Sequence, residues 1–146
     1  MVPLRYTSLF SRLAVVAVAL FCFSSSAVRA QDVKPVGQLA FTIQVPEHKL
    51  ALKQVHDIVL GASIGRGWIV KEDAPDRIVV YLNHRKNEAT VTYLVNEATV
   101  TAYCEGWKTN GHGVRKGPAQ PKGWLKYLEN DILKGLHKAA YLPGPK

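Results

Sequence analysis

Residues 68–104 read WIVKEDAPDRIVVYLNHRKNEATVTYLVNEATVTAYC, and apolar residues recur there at every second position. Period two is the spacing of a strand, whose successive side chains point to opposite faces of a sheet. The stretch divides into strands at 68–72, 77–83, 88–95 and 98–104. Ala74-Pro75-Asp76 turns the first into the second, the polar residues 84–87 turn the second into the third, and Asn96-Glu97 makes the last tight connection. One face collects Ile78, Val80 and Leu82, then Ala89, Val91, Tyr93 and Val95, then Ala98, Val100, Ala102 and Cys104. The alternating Thr99, Thr101 and Tyr103 suit a face that meets water. The hexapeptide NEATVT occurs at 87–92 and again nine residues later at 96–101. Two copies make no solenoid; they are two arms of one hairpin.

The flanks supply two helices and one more strand. Leu39, Phe41, Ile43 and Val45 alternate in 38–45, and Pro46 ends that strand. A first helix is predicted over 47–63, with Leu52, Val55, Val59 and Ala62 in its stripe and Ile58 beside them. Gly65 and Gly67 give the chain an exit through positive φ. Trp68 then starts the strand pattern and fills space between helix and sheet. Residues 107–123 read as a long loop, and a closing helix over 123–138 carries the stripe Leu125, Leu128, Ile132 and Leu136. The expectation is an α+β fold: an antiparallel sheet of four to five strands with two helices packed on one face.

The first thirty residues have the layout of an export signal. Arg5 and Arg12 precede an eleven-residue apolar run, Leu13 to Phe23, and in Val28-Arg29-Ala30 the last and third-last positions before the cut are small. Eleven residues fall short of the ~20 needed to span a bilayer. Cys22 follows Phe21 inside the run, which does not suit lipidation. The expected organisation is a signal peptide at 1–30 cleaved near Ala30, a leader and short strand at 31–46, and a single α+β domain at 47–142. The signal carries three of the 19 basic residues and none of the 11 acidic ones, so the mature chain holds a formal charge of +5. That suits anionic partners without requiring them. Cys104 alone remains after cleavage, so no internal disulfide forms. Burial as a small hydrophobe is favoured for it over pairing with another chain.

Three segments resemble a set of small exported proteobacterial proteins, many of them lipoproteins and mostly uncharacterised. They are the helix exit Ala62-Ser63-Ile64-Gly65-Arg66-Gly67-Trp68, the meander from Ala89 to Tyr103, and Trp124-Leu125-x-x-Leu128-x-x-Asp131-Ile132. The resemblance spans about 47–137 and implies an α-β-meander-α domain. It brings no reaction, cofactor or catalytic residue. This chain departs from it in lacking a lipidation site and in a longer, more basic segment before the last helix.

Chemistry concentrates in that segment. No acid occurs from Gly106 to Leu128, while Lys108, His112, Arg115, Lys116 and Lys122 lie there beside Trp107, Trp124 and Tyr127. These five are the candidate ligand-binding residues. Gly111, Gly113 and Gly117 suit a backbone nest for an anion, although no phosphate-loop motif is present. No two of the histidines at 48, 56, 84, 112 and 137 have metal-ligand spacing, and they read as exposed titrating groups. No metal or cofactor is expected. Gly61-Ala62-Ser63-Ile64-Gly65 has the spacing of a nucleophile elbow, but it closes a helix where that motif needs a strand-to-helix turn. Glu72, Asp73 and Asp76 read as a solvated hairpin tip. The functional expectation is a non-catalytic exported binding or scaffold protein, periplasmic or secreted, meeting an envelope component. The second reading is a binder of an anionic lipid, glycan or nucleic acid through 107–126. A small hydrolase or metal-handling protein has the least support.

Overall fold

The computed structural model describes residues 35–46 and 49–142. The expected signal at 1–30 and its cleavage point lie outside the described residues. The elements run β1 (Gln38–Gln44), α1 (Leu52–Gly65), β2 (Ile69–Ala74), β3 (Arg77–His84), β4 (Asn87–Val95), β5 (Thr99–Thr109), β6 (Arg115–Pro118) and α2 (Lys122–Tyr141). All strand pairs are antiparallel, in the order β1-β5-β4-β3-β2, with β6 also beside β5. The fold is α+β, with six strands rather than four to five. Among the described residues, no helix is long and apolar enough to cross a membrane.

The sixth strand corrects the reading of 107–123 as a long loop. Alternation continues past Cys104, and β5 extends to Thr109. The chain then returns as β6, pairing Trp107 with Pro118, Lys108 with Gly117 and Thr109 with Arg115. Gly117 and Pro118 give a four-residue strand no side-chain pattern to read. Pro118 ends an edge strand, where its missing N–H costs no interior ladder bond. The helix bounds also differ. Leu50 goes into the core before α1 starts at Leu52, where the Gln54 side chain accepts a 2.9 Å hydrogen bond from the Ala51 N–H. At its other end Gly67 (φ +79°) turns the chain out, and the Arg66 and Trp68 amides both donate to the Ser63 carbonyl.

The core lies between the helices and one sheet face. Ile78, Val80, Ala89, Val91, Tyr93, Val100 and Ala102 meet Val55 and Val59 of α1 and Leu128, Ile132 and Leu136 of α2. Each buried aliphatic side chain of α2 contributes about 1.5–3 kcal/mol, more than helix propensity supplies. The helices approach closely at Gly135, where a Cβ would lie 2.6 Å from Ile58 Cγ2. Two assignments fail at irregular backbone: a bulge between Leu39 and Phe41 leaves Leu39 exposed, and Ala98 is exposed in the turn. The helix-free face is not uniformly wet either. Thr92 is only 3% exposed, set between its strand neighbours Val79 and Tyr103.

Trp68 is buried and meets Trp124 edge-on at 6.2 Å. Trp68→Ala is expected to cost about 3–5 kcal/mol in urea unfolding; a loss below about 1 kcal/mol would mean that the indole packs little. Cys104 is 1% exposed, and burial, with Glu105 secondarily, pushes its thiol up to about 11. The native protein is therefore expected to resist a thiol-specific disulfide reagent near neutral pH and to react only on unfolding. Rapid native labelling, or a dimer on a non-reducing gel, would contradict that burial.

Candidate functional site

Strand pairing brings two turns together at one end of the sheet. β3 and β4 pair from Arg77↔Leu94 to His84↔Asn87, which leaves Arg85 and Lys86 as a two-residue turn. β4 and β5 pair through Asn87↔Lys108, so the β5–β6 turn stands next to it. The Thr109 N–H donates to the Lys86 carbonyl at 2.8 Å and joins the two turns. Among the described residues this end carries Arg85, Lys86, Lys108, Arg115 and Lys116, with His84 and His112, against Glu88 and the nearby Glu105.

Arg115 is neutralised there. Its guanidinium pairs with Glu88 and lies 5.0 Å from the Trp107 ring centre. The hydrogen bond to Glu88 raises its already high pKa. Among the described residues, no carboxylate comes within ion-pair distance of Arg85, Lys86, Lys108 or Lys116. All four are exposed.

Arg85 and Lys86 both have positive φ, +48° and +63°. A two-residue hairpin turn of this kind favours Asn-Gly, because a side chain there crowds the backbone. Two long cations at those positions are strained. Strain of this sort gathers where a side chain is needed for a reason other than stability. Asn87 partly compensates, its side-chain amide donating to the Arg85 carbonyl at 3.1 Å.

The second turn is held by Asn110. Its Oδ1 accepts from the His112 and Val114 amides at 3.0 and 2.8 Å, and its carbonyl accepts from the Gly113 amide at 3.1 Å. These three amides are used inside the turn, so no backbone nest forms from them, and side chains are left to do any binding. His112 and Lys116 project from this hairpin. Lys122, the fifth candidate, stands apart at the start of α2, in a cleft with Trp107 and Gln120.

The opposite end of the sheet is acidic. Glu72, Asp73 and Asp76 flank the β2–β3 turn, Glu97 lies in the β4–β5 turn, and the Val95 amide donates to the Asp76 carbonyl at 2.8 Å. Asp73 is not a purely solvated carboxylate: His56 Nε2 lies 2.8 Å from it, and Asp57 is 3.5 Å from the other ring nitrogen. The His56 side chain is 12% exposed, which corrects its reading as an exposed group. His48 lies outside the described residues, and His84, His112 and His137 are exposed. Among the described residues, no group of three or more side chains is arranged to hold a metal ion. Ser63, at the centre of the G-x-S-x-G spacing, is buried within α1 and donates to the Val59 carbonyl at 2.9 Å.

Arg85 and Lys86 are the site residues that the sequence reading misses. Their only signal is a basic pair at a turn where Asn or Gly is usual, and it appears once the strand ends are known. Comparison with family models, curated proteins and solved structures returns no match.

Replacing Arg85→Asn together with Lys86→Gly is expected to stabilise the fold by about 1–2 kcal/mol, read from the urea midpoint. An unchanged or lower midpoint would show that the turn is not strained.

Proposed function

We propose that this protein is a non-catalytic exported binding protein, periplasmic or secreted, that engages an anionic envelope component through the basic end of its sheet. The strained Arg85-Lys86 turn carries this reading. Two cations with no ion-pair partner among the described residues sit where backbone preference asks for Asn and Gly, and Lys108 and Lys116 stand on the neighbouring strands. A surface of one sign steers and holds a partner of the other, and salt weakens that attraction. The buried, protonated Cys104 and the helix-bound Ser63 favour binding over nucleophilic catalysis. The order of basic, apolar and small residues in 1–30 supports the location.

The test compares two variants of equal net charge. Lys108→Glu with Lys116→Glu reverses charge at the site, and Lys134→Glu with Lys138→Glu does so on α2. Binding is measured to polygalacturonate, to phosphatidylglycerol vesicles and to single-stranded DNA. The first variant is expected to lose about tenfold or more in affinity for the polyanion that binds, equivalent to about 1.4 kcal/mol. The second is expected to change little. Equal losses in both would reduce the effect to net charge and overturn the site.

A further inference from the structure

Four buried side-chain nitrogens lack a hydrogen bond among the described residues: His56 Nε2, Arg77 Nε, Trp107 Nε1 and Gln120 Nε2. The first two have carboxylates nearby, Asp73 at 2.8 Å and Glu72 at 3.5 Å. The other two, Trp107 and Gln120, line one cleft, and neither is hydrogen-bonded to Glu105 in its wall. A buried donor without a partner costs about 1–3 kcal/mol, so two in one place call for a common acceptor.

The cleft follows from the way β5 is covered. β1 pairs with residues 99–104 and β6 with 107–109 along the same edge, leaving a gap at Glu105 and Gly106. The opening measures about 370 Å³, between Gly37 and Gln38 on one side and Pro118 to Gln120 on the other. Lys122 is also in its wall. Trp107 Nε1, the Gln120 amide nitrogen and Lys122 Nζ are all donors. Glu105 is the one acid in the wall, set against Lys122; its charge also acts on Arg115, which Glu88 already holds.

We infer that this cleft seats a terminal oxyanion group, the carboxylate, sulfate or phosphate of an anionic ligand. Trp107, Gln120 and Lys122 donate to its oxygens. The inference rests on the anionic-ligand reading above and adds a discrete subsite to it: the cations of the sheet end attract the ligand, and the cleft holds one acid group of it. Arg115 connects the two, since it stacks on Trp107, whose ring edge carries the cleft's Nε1 donor.

The indole N–H of Trp107 gives a direct readout. The chain has three tryptophans, so three indole signals are expected in a 15N-labelled proton–nitrogen spectrum, and Trp107→Phe assigns this one. The purified protein is titrated with tetragalacturonate, tripolyphosphate, inorganic sulfate and the neutral cellotetraose. The expected result is a saturable downfield shift of the Trp107 indole proton with one or more of the anions. The anions that produce it identify the acid group. Gln120→Leu and Lys122→Met are each expected to weaken that binding by about tenfold, while the folded spectrum is retained. An equal shift with cellotetraose would make the cleft a hydroxyl site and overturn the inference. So would an unmoved indole while polyanion affinity still depends on Lys108 and Lys116, and that result would leave the basic-end reading standing. An indole shift weakened by Gln120→Leu but indifferent to Lys108→Glu with Lys116→Glu would keep the cleft and overturn the basic end instead.

Discussion

The structure depends on a single strand bonded along both edges. β5 meets β4 over its full length on one side, and on the other it is divided between β1 and β6. Sharing one edge between two short strands puts close backbone contacts at both borders. Gly37, with φ +109°, lies where a Cβ would stand 2.5 Å from the Cys104 carbonyl carbon. Gly106 lies where a Cβ would stand 2.4 Å from the Ala119 oxygen, and its own carbonyl accepts the Ala119 amide at 2.8 Å. Only glycine fits either place without moving backbone. Cys104 lies between the two crossings, and its side chain is buried in the core with Val100 and Ala102.

That same pairing produces the charge pattern. Antiparallel strands in unbroken register put alternate turns at opposite ends of the sheet. The Pro75-Asp76 and Asn96-Glu97 turns fall at one end, and Arg85-Lys86 and residues 110–114 fall at the other. The sequence scatters acids and bases over forty residues with no visible separation. Folding sorts them into an acidic and a basic end along the strand direction. The sorting costs little, because each end is exposed and water screens repulsion among its charges.

The layers were legible because they repeat. Val91, Tyr93 and Val95 alternate over a long unbroken strand, and Leu125, Leu128, Ile132 and Leu136 keep helical spacing through α2, so burial follows directly from period. Legibility stops where the backbone departs from regularity. The bulge at Leu39 reverses one face assignment, and β6 is too short and too rich in glycine and proline to show a period. The candidate site was half visible. Lys108, Arg115 and Lys116 stood out as an acid-free basic run, but nothing local linked them to Arg85 and Lys86 more than twenty residues earlier. Nor could spacing reveal that Glu88 takes Arg115 out of the free charge, since that contact crosses from β4 to β6. A cross-strand neighbour is a property of register, and register is set by the whole sheet.

Two independent local costs therefore lie close together. One is backbone strain at Arg85 and Lys86, and the other is the unpaired donor on Trp107, which packs against Arg115 on the adjoining hairpin. Other positions are locally consistent: Gly67 stands at a left-handed helix exit, Gly135 at a helix crossing, and Asn110 at a turn that uses both its backbone and its side chain. Folds that are consistent at most positions tend to break local rules where something other than stability is served. Either departure alone is within what a stable domain absorbs. Their concentration on one end of one sheet, around Arg85, Lys86, Lys108 and Lys116, is what separates a binding reading from a merely solvated edge.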